Sequence, residues 1–153
     1  MSRHKEESER ARAYAFLLLK FRLRSENELY QRLKKKFKEP VIKQTLDFLK
    51  EKAFIDDREF ARLWVTSRIK KPLGLLRLRQ ELRLKGVDKN IIEAQLEKIK
   101  ENYSEGEVVL RIARDRFEKL KGTEPYKAKR RLFQYLSRRG FSPGTITDAL
   151  SRL

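Results

Sequence analysis

The feature that most constrains this sequence is a threefold internal repeat. Leu29, Leu33 and Phe37 are followed by Ile42, Leu46 and Leu49; Leu78, Leu82 and Val87 by Ile92, Leu96 and Ile99; and Leu132, Leu136 and Phe141 by Ile146, Leu150 and Leu153. Successive copies are offset by about fifty residues, the scale of a helical repeat. Within each copy the first pair is four residues apart and the closing trio is spaced four and then three. Each set therefore lies along one face of a helix. Gly86 and Gly140 fall at the breaks of copies two and three, suited to left-handed C-terminal caps. Asp88 and Ser142 follow as N-caps, with Pro143 at a first helical position. Copy one has no glycine at this break, is one residue shorter and opens its next helix at Pro40, so its turn is expected to differ.

A further helix precedes each pair. Ser25 to Glu28 and Ser104 to Glu107 read as Ser-x-x-Glu capping boxes, and Asp56-Asp57 suits the N-terminus of a helix carrying Phe60, Ala61, Trp64, Val65 and Ile69. Helices are predicted over residues 7–23, 25–37, 40–52, 57–71, 74–85, 88–102, 104–121, 125–139 and 143–152. No segment alternates with period two between turn signals, so no sheet is expected. The predicted fold is all-α, three tandem three-helix repeats forming a short curved solenoid, because repeats of this size bury their apolar faces against one another. The repeats are placed at approximately 7–52, 56–102 and 104–153 within a single domain spanning 1–153, with the flexible joints at 102–104 and 121–123.

Charge is sorted by helix position. The chain of 153 residues has 39 Lys+Arg against 22 Asp+Glu, a formal net charge of +17. Residues 25–39 hold five basic side chains and three acidic ones, and 70–86 and 124–140 hold six and one each. The third helices are close to neutral. In a stacked array the second helices would line one side, so Lys34, Lys35, Lys36, Arg77, Arg79, Arg83, Lys85, Lys127, Lys129, Arg130, Arg131, Arg138 and Arg139 are predicted to form a basic face that tracks a long polyanion. The competing reading of any one of them is a solvated helix face.

The aromatic residues mostly serve the core: Phe60 and Trp64, four apart beside Ala61, read as packing. Tyr126 and Phe133 share one side of their helix while Tyr135 is displaced toward the basic side, where an exposed aromatic is expected. Catalysis has little support, since His4 is the one histidine and lies near the N-terminus. There is no cysteine, which excludes disulfides and thiolate chemistry and fits a reducing compartment. Asp56-Asp57 is too few ligands for a dedicated cation site and already has a capping role. There is no glycine-rich phosphate loop, no H-E-x-x-H and no EF-hand spacing, so neither cofactor nor metal is expected. The apolar run Phe16 to Leu19 is too short for a membrane span. A cytoplasmic monomer with no membrane association is expected.

The stretch Asp56-Asp57-Arg58-Glu59-Phe60-Ala61-Arg62-Leu63-Trp64-Val65-Thr66-Ser67-Arg68 resembles the D-D-x-x-F-A-x-x-W-V-x-x-R signature of RecX regulatory proteins. Gly74 through Arg79-Gln80-Glu81-Leu82 to Lys85-Gly86-Val87-Asp88 is similar to that family's G-x-x-x-I-x-x-E-L-x-x-K-G-I-x segment, with Leu78 where Ile is usual. Arg138-Arg139-Gly140-Phe141-Ser142 resembles its R-R-G-F-S, and Ala11 to Leu33 also fits. The resemblance implies three tandem three-helix repeats and no enzymatic activity. It implies binding to the RecA recombinase filament on single-stranded DNA, with suppression of its ATPase, strand exchange and coprotease activities in DNA repair, recombination and the SOS response. On this reading Lys85, Lys129, Arg130, Arg138 and Arg139 are expected on the filament or DNA face, with Arg68 a lesser candidate. The alternative is a basic helical module that binds DNA or RNA directly, since helix pairs with a glycine at the turn also resemble helix-turn-helix elements.

Overall fold

In a computed structural model, which describes residues 2–153, the chain forms nine helices and, among those residues, no strand. They are α1 (Ser2–Phe21), α2 (Glu26–Leu33), α3 (Glu39–Glu51), α4 (Asp57–Arg68), α5 (Leu75–Leu84), α6 (Lys89–Ile99), α7 (Glu105–Lys119), α8 (Pro125–Arg138) and α9 (Pro143–Ser151). The all-α reading and the triplet order hold. Two ends differ most from expectation, while α4 and α6 each stop three residues early. α1 begins several residues earlier, and α2 stops at Leu33 instead of continuing to residue 37. There the amides of Lys36 and Phe37 both donate to the Leu33 carbonyl. That tight turn swings Phe37 onto the core beside Tyr14, with ring centroids 6.5 Å apart. Copy one, lacking a glycine, thus ends its helix without a left-handed residue.

The caps explain the remaining boundaries. Ser25 makes the full capping box with Glu28, and Ser142 accepts from the Thr145 amide. Asp56 accepts from the amides of Arg58 and Glu59, while Asp57 turns away and accepts from the Glu26 amide at 2.9 Å. The aspartate pair therefore caps two helices, α4 and α2. Gly86 (φ 75°) and Gly140 (φ 89°) take the predicted left-handed conformation. The bonds from Val87 to Leu82 and from Phe141 to Leu136 close the six-residue turn that this cap provides. α3 ends the same way through Phe54 to Leu49, but on Ala53 (φ 59°).

The chain resolves into two compact units. One comprises residues up to Trp64 together with Leu82–Ile92, the other Val65–Glu81 with Glu93–Leu153. The boundary falls inside α4, α5 and α6 rather than in the connecting loops. In the first unit, α1, α2 and α3 enclose Ala11, Ala15, Leu29, Leu33, Ile42 and Leu49. In the second, α7, α8 and α9 enclose Val109, Ala113, Leu132, Leu136, Phe141 and Ile146. The repeated apolar positions of the first and third copies fall in these cores, with Phe37 and Leu153 partly buried against them.

A common kind of joint occurs in each unit, the start of one second helix meeting the end of the next repeat's second helix. In the first unit the Ser25 hydroxyl donates to the Lys85 carbonyl at 2.6 Å, and Gly86 lies so close to Asn27 that a Cβ there would overlap its side chain. In the second, the Gly74 amide donates to the Arg139 carbonyl at 2.8 Å and Leu76 donates to Gly140 at 3.2 Å. Positive helix N-termini thus meet negative C-termini, an electrostatically favourable pairing.

Candidate partner-binding surface

The fourteen cations predicted from the sequence differ in what they touch. Arg68 makes a bidentate pair with Glu81 at 2.7 and 3.0 Å, which raises its pKa, and Arg77 reaches the same carboxylate and the Arg138 carbonyl, both at 3.4 Å. Arg79 makes a bidentate pair with Glu93 at 2.7 and 3.1 Å. Lys85 is half-buried, 3.1 Å from Glu28 and with its ammonium 5.1 Å from the centroid of the Trp64 ring. Burial alone would raise the Glu28 carboxyl, but the bonds from Arg22, from the Ser25 amide and from Lys85 outweigh it and hold the group at about 2. Arg68, Arg79 and Lys85 are thus tied into the fold. Trp64, expected in the core, is half-buried beneath Lys85, whereas Phe60 and Ala61 are fully enclosed.

The other predicted residues face solvent to a greater degree. Lys34, Lys35 and Lys36 are exposed on the turn after α2 rather than on a helical face. Lys36 stands 4.2 Å over the Tyr14 ring, and Lys34 lies 5.8 Å from the Tyr30 ring. Arg83 is exposed at the last turn of α5. Along α8, Lys127, Arg130, Arg131 and Arg138 are exposed, while Lys129 and the adjoining Arg139 are half-buried. Arg139 lies 5.8 Å from the Tyr135 ring centroid, and its Nε is buried without a hydrogen-bond partner.

Four cations converge on a groove of about 350 Å³ between α7 and α8. Arg116 and Lys119 form one wall, Arg131 and Arg138 the other, with Leu120, Leu132 and Tyr135 between them and no carboxylate among its lining residues. The Arg116 guanidinium sits 3.7 Å from the Tyr135 ring centroid. This cation–π contact fixes an otherwise flexible side chain and occupies the ring. Tyr135 therefore acts here as a platform for a cation, and the exposed aromatic of α8 is Tyr126, 72% exposed. Four cations around one groove repel one another, and an anion with spaced charges, such as a phosphodiester strand, relieves that repulsion. Arg116 and Lys119 escape a sequence reading because α7 carries four basic and four acidic residues, so counting net charge by helix cancels them. The signal that could find them is their spacing of three, which places both on one face.

The chain matches family models for the first, second and third three-helix domains of RecX over residues 11–49, 56–96 and 104–150. A protein named Regulatory protein RecX from Chlorobium phaeobacteroides (strain BS1) is 38% identical over 141 residues, covering 91% of this chain and 90% of the relative. One of the same name from Mycobacterium sp. (strain JLS) is 38% identical over 149 residues, covering 94% and 81%. The crystal structure of RecX from Lactobacillus salivarius superimposes with a TM-score of 0.85 over 97% of each chain, at 21% identity, a likeness of fold.

Proposed function

We propose, from the premise that this chain belongs to the RecX family of regulatory proteins, that it binds the RecA recombinase filament on single-stranded DNA and lowers the filament's ATPase, strand exchange and coprotease activities. It does so in the cytoplasm as a monomer, without catalysis of its own, within DNA repair, recombination and the SOS response. The observation that carries this reading is the α7–α8 groove, whose four cations converge with no carboxylate among them. Lys127, Arg131, Arg138 and Arg139 supply the DNA-facing charge from α8, joined by Arg116 and Lys119 from α7, while Lys129 and Arg130 lie on the other flank of α8. Lys34, Lys35, Lys36 and Arg83 add exposed charge in the other unit. Arg68, Arg77, Arg79 and Lys85 chiefly hold the fold. Regulation by binding requires different affinities for different filament states, because a ligand that binds both equally shifts nothing. Among the described residues no helix is long and apolar enough to cross a membrane.

The test is the ATPase rate of preassembled RecA filaments on single-stranded DNA as the protein is titrated in, at a salt concentration where it no longer binds naked DNA. The expected result is a fall in rate well below one molecule per recombinase protomer; an unchanged rate at every ratio overturns the reading. The same groove favours a second reading, direct binding of DNA or RNA. Phosphate-dominated binding falls steeply with salt and is indifferent to the recombinase, which separates the two.

A further inference from the structure

α8 has a second flank whose chemistry differs from the first. Tyr126, Lys129, Arg130 and Phe133 fall at i, i+3, i+4 and i+7, one stripe along the helix. Thr147 and Leu150 make the facing stripe on α9, and between the two lies an open trough of about 640 Å³. Its apolar lining is Phe133, half-buried, and Leu150, 9% exposed, with Tyr126 standing 72% exposed at one end. The lining contains two cations, both on the α8 wall, and no carboxylate. The α8 stripe spans about 10 Å at 1.5 Å per residue, two turns of a partner helix. An apolar floor between two helices with an exposed aromatic anchor is the form of a groove that receives an amphipathic helix. Lys129 and Arg130 decide the sign of that helix, because carboxylates on its flank complement them and ammonium groups are repelled.

We propose that the trough between α8 and α9 is a docking site for an acidic amphipathic helix of a protein partner. Apolar residues spaced i, i+3 or i+4 and i+7 enter between Tyr126, Phe133 and Leu150, and carboxylates meet Lys129 and Arg130. The proposal rests on the chain being a regulator that binds a protein, but not on which protein. One helix then serves two partners at once, a phosphodiester strand on the α7 side and a protein helix on the α9 side.

The experiment uses the full chain and no recombinase, so its outcome is separable from the ATPase test. A fluorescein-labelled, side-chain-stapled helical peptide with leucines at i, i+3 and i+7 and glutamates on its flanks is titrated by anisotropy. Twin peptides carry lysine in place of glutamate, or the same residues scrambled. The expected result is binding of the glutamate peptide alone, weakened about tenfold or more by Tyr126→Ala and by Thr147→Glu. Lys98→Glu, which removes a positive charge elsewhere, leaves binding unchanged, and thermal unfolding confirms that each variant folds. No binding, equal binding of the lysine peptide, or indifference to both trough variants overturns the proposal. Displacement of the peptide by oligo-dT overturns it in favour of nucleic acid, and a dimer in sedimentation that Tyr126→Ala abolishes overturns it in favour of self-association.

Discussion

The Gly74 amide donates to the Arg139 carbonyl at 2.8 Å, and this bond brings the two backbones so close that a Cβ on Gly74 would overlap the Gly140 backbone. Gly74 is buried and its φ is not in the left-handed region, so the requirement is one of space. Gly74→Ala is expected to cost about 2–4 kcal/mol, since the neighbouring atoms are main chain and have no rotamer to adopt. At about 2–4 °C per kcal/mol for a chain of this size, thermal unfolding reads the loss directly. Gly144→Ala, where an added Cβ meets nothing within 4 Å, should leave the midpoint level or raise it.

Ala53 offers the reverse experiment. It holds φ 59° at the end of α3, in the conformation that Gly86 and Gly140 supply elsewhere. A non-glycine residue there costs roughly 1–2 kcal/mol, against about 0.5–1 kcal/mol of extra chain entropy lost by glycine. Ala53→Gly is therefore expected to stabilise by about 0.5 kcal/mol. A lower denaturant midpoint would show that the Ala53 methyl contributes packing that outweighs its strain.

Glu28 carries an acid-pH dependence whose sign is fixed by its ion pairs. Its folded pKa of about 2 lies below the ordinary 4.5, so its stabilisation is complete above the ordinary value and fades as pH falls toward 2. Glu28→Gln should cost on the order of 2–3 kcal/mol at neutral pH, with the gap to the parent narrowing between about pH 4.5 and 2. Asp57 and Glu105, raised by burial, act in the opposite sense but equally in both proteins, so the difference isolates Glu28. A gap independent of pH would sink this assignment.

Charge reversal separates binding from folding. Arg131→Glu with Arg138→Glu should weaken oligo-dT binding and flatten its salt dependence by about 0.7 for each phosphate no longer neutralised, with the unfolding midpoint held. Arg68→Met leaves Glu81 without its bidentate partner. It should lower stability by about 1–2 kcal/mol and leave the salt slope alone. Equal effects of the two variants on both readouts would show that exposure does not distinguish these arginines.

How much the sequence reveals follows from the range of each interaction. Leu29 and Leu33, or Leu132 and Leu136, announce buried faces because helical periodicity is local, and Ser25, Ser142, Gly86 and Gly140 act within one turn of where they stand. Asp57 reads locally as a cap of the helix it begins, yet it caps α2, since its partner Glu26 lies far along the chain. The roles of Arg68, Arg79 and Lys85 depend on which carboxylates the fold brings beside them, which no charge count contains. Arg116 and Lys119 are hidden by averaging over α7, and Tyr135 reads as open because nothing local reveals that Arg116 covers it.

The compact units divide within α4, α5 and α6, not at the loops between repeats. The middle repeat is thus a unit of sequence that is shared between two compact units. A chain that ended after the second repeat would retain Val65, Leu78 and Leu96 yet lose α7, α8 and α9, the rest of the unit to which they belong. Gain or loss of a single repeat is consequently not a neutral step for a protein of this kind. The shortest fragments that resist a protease should either end inside α6 or begin inside α4, out of register with the pattern written in the sequence.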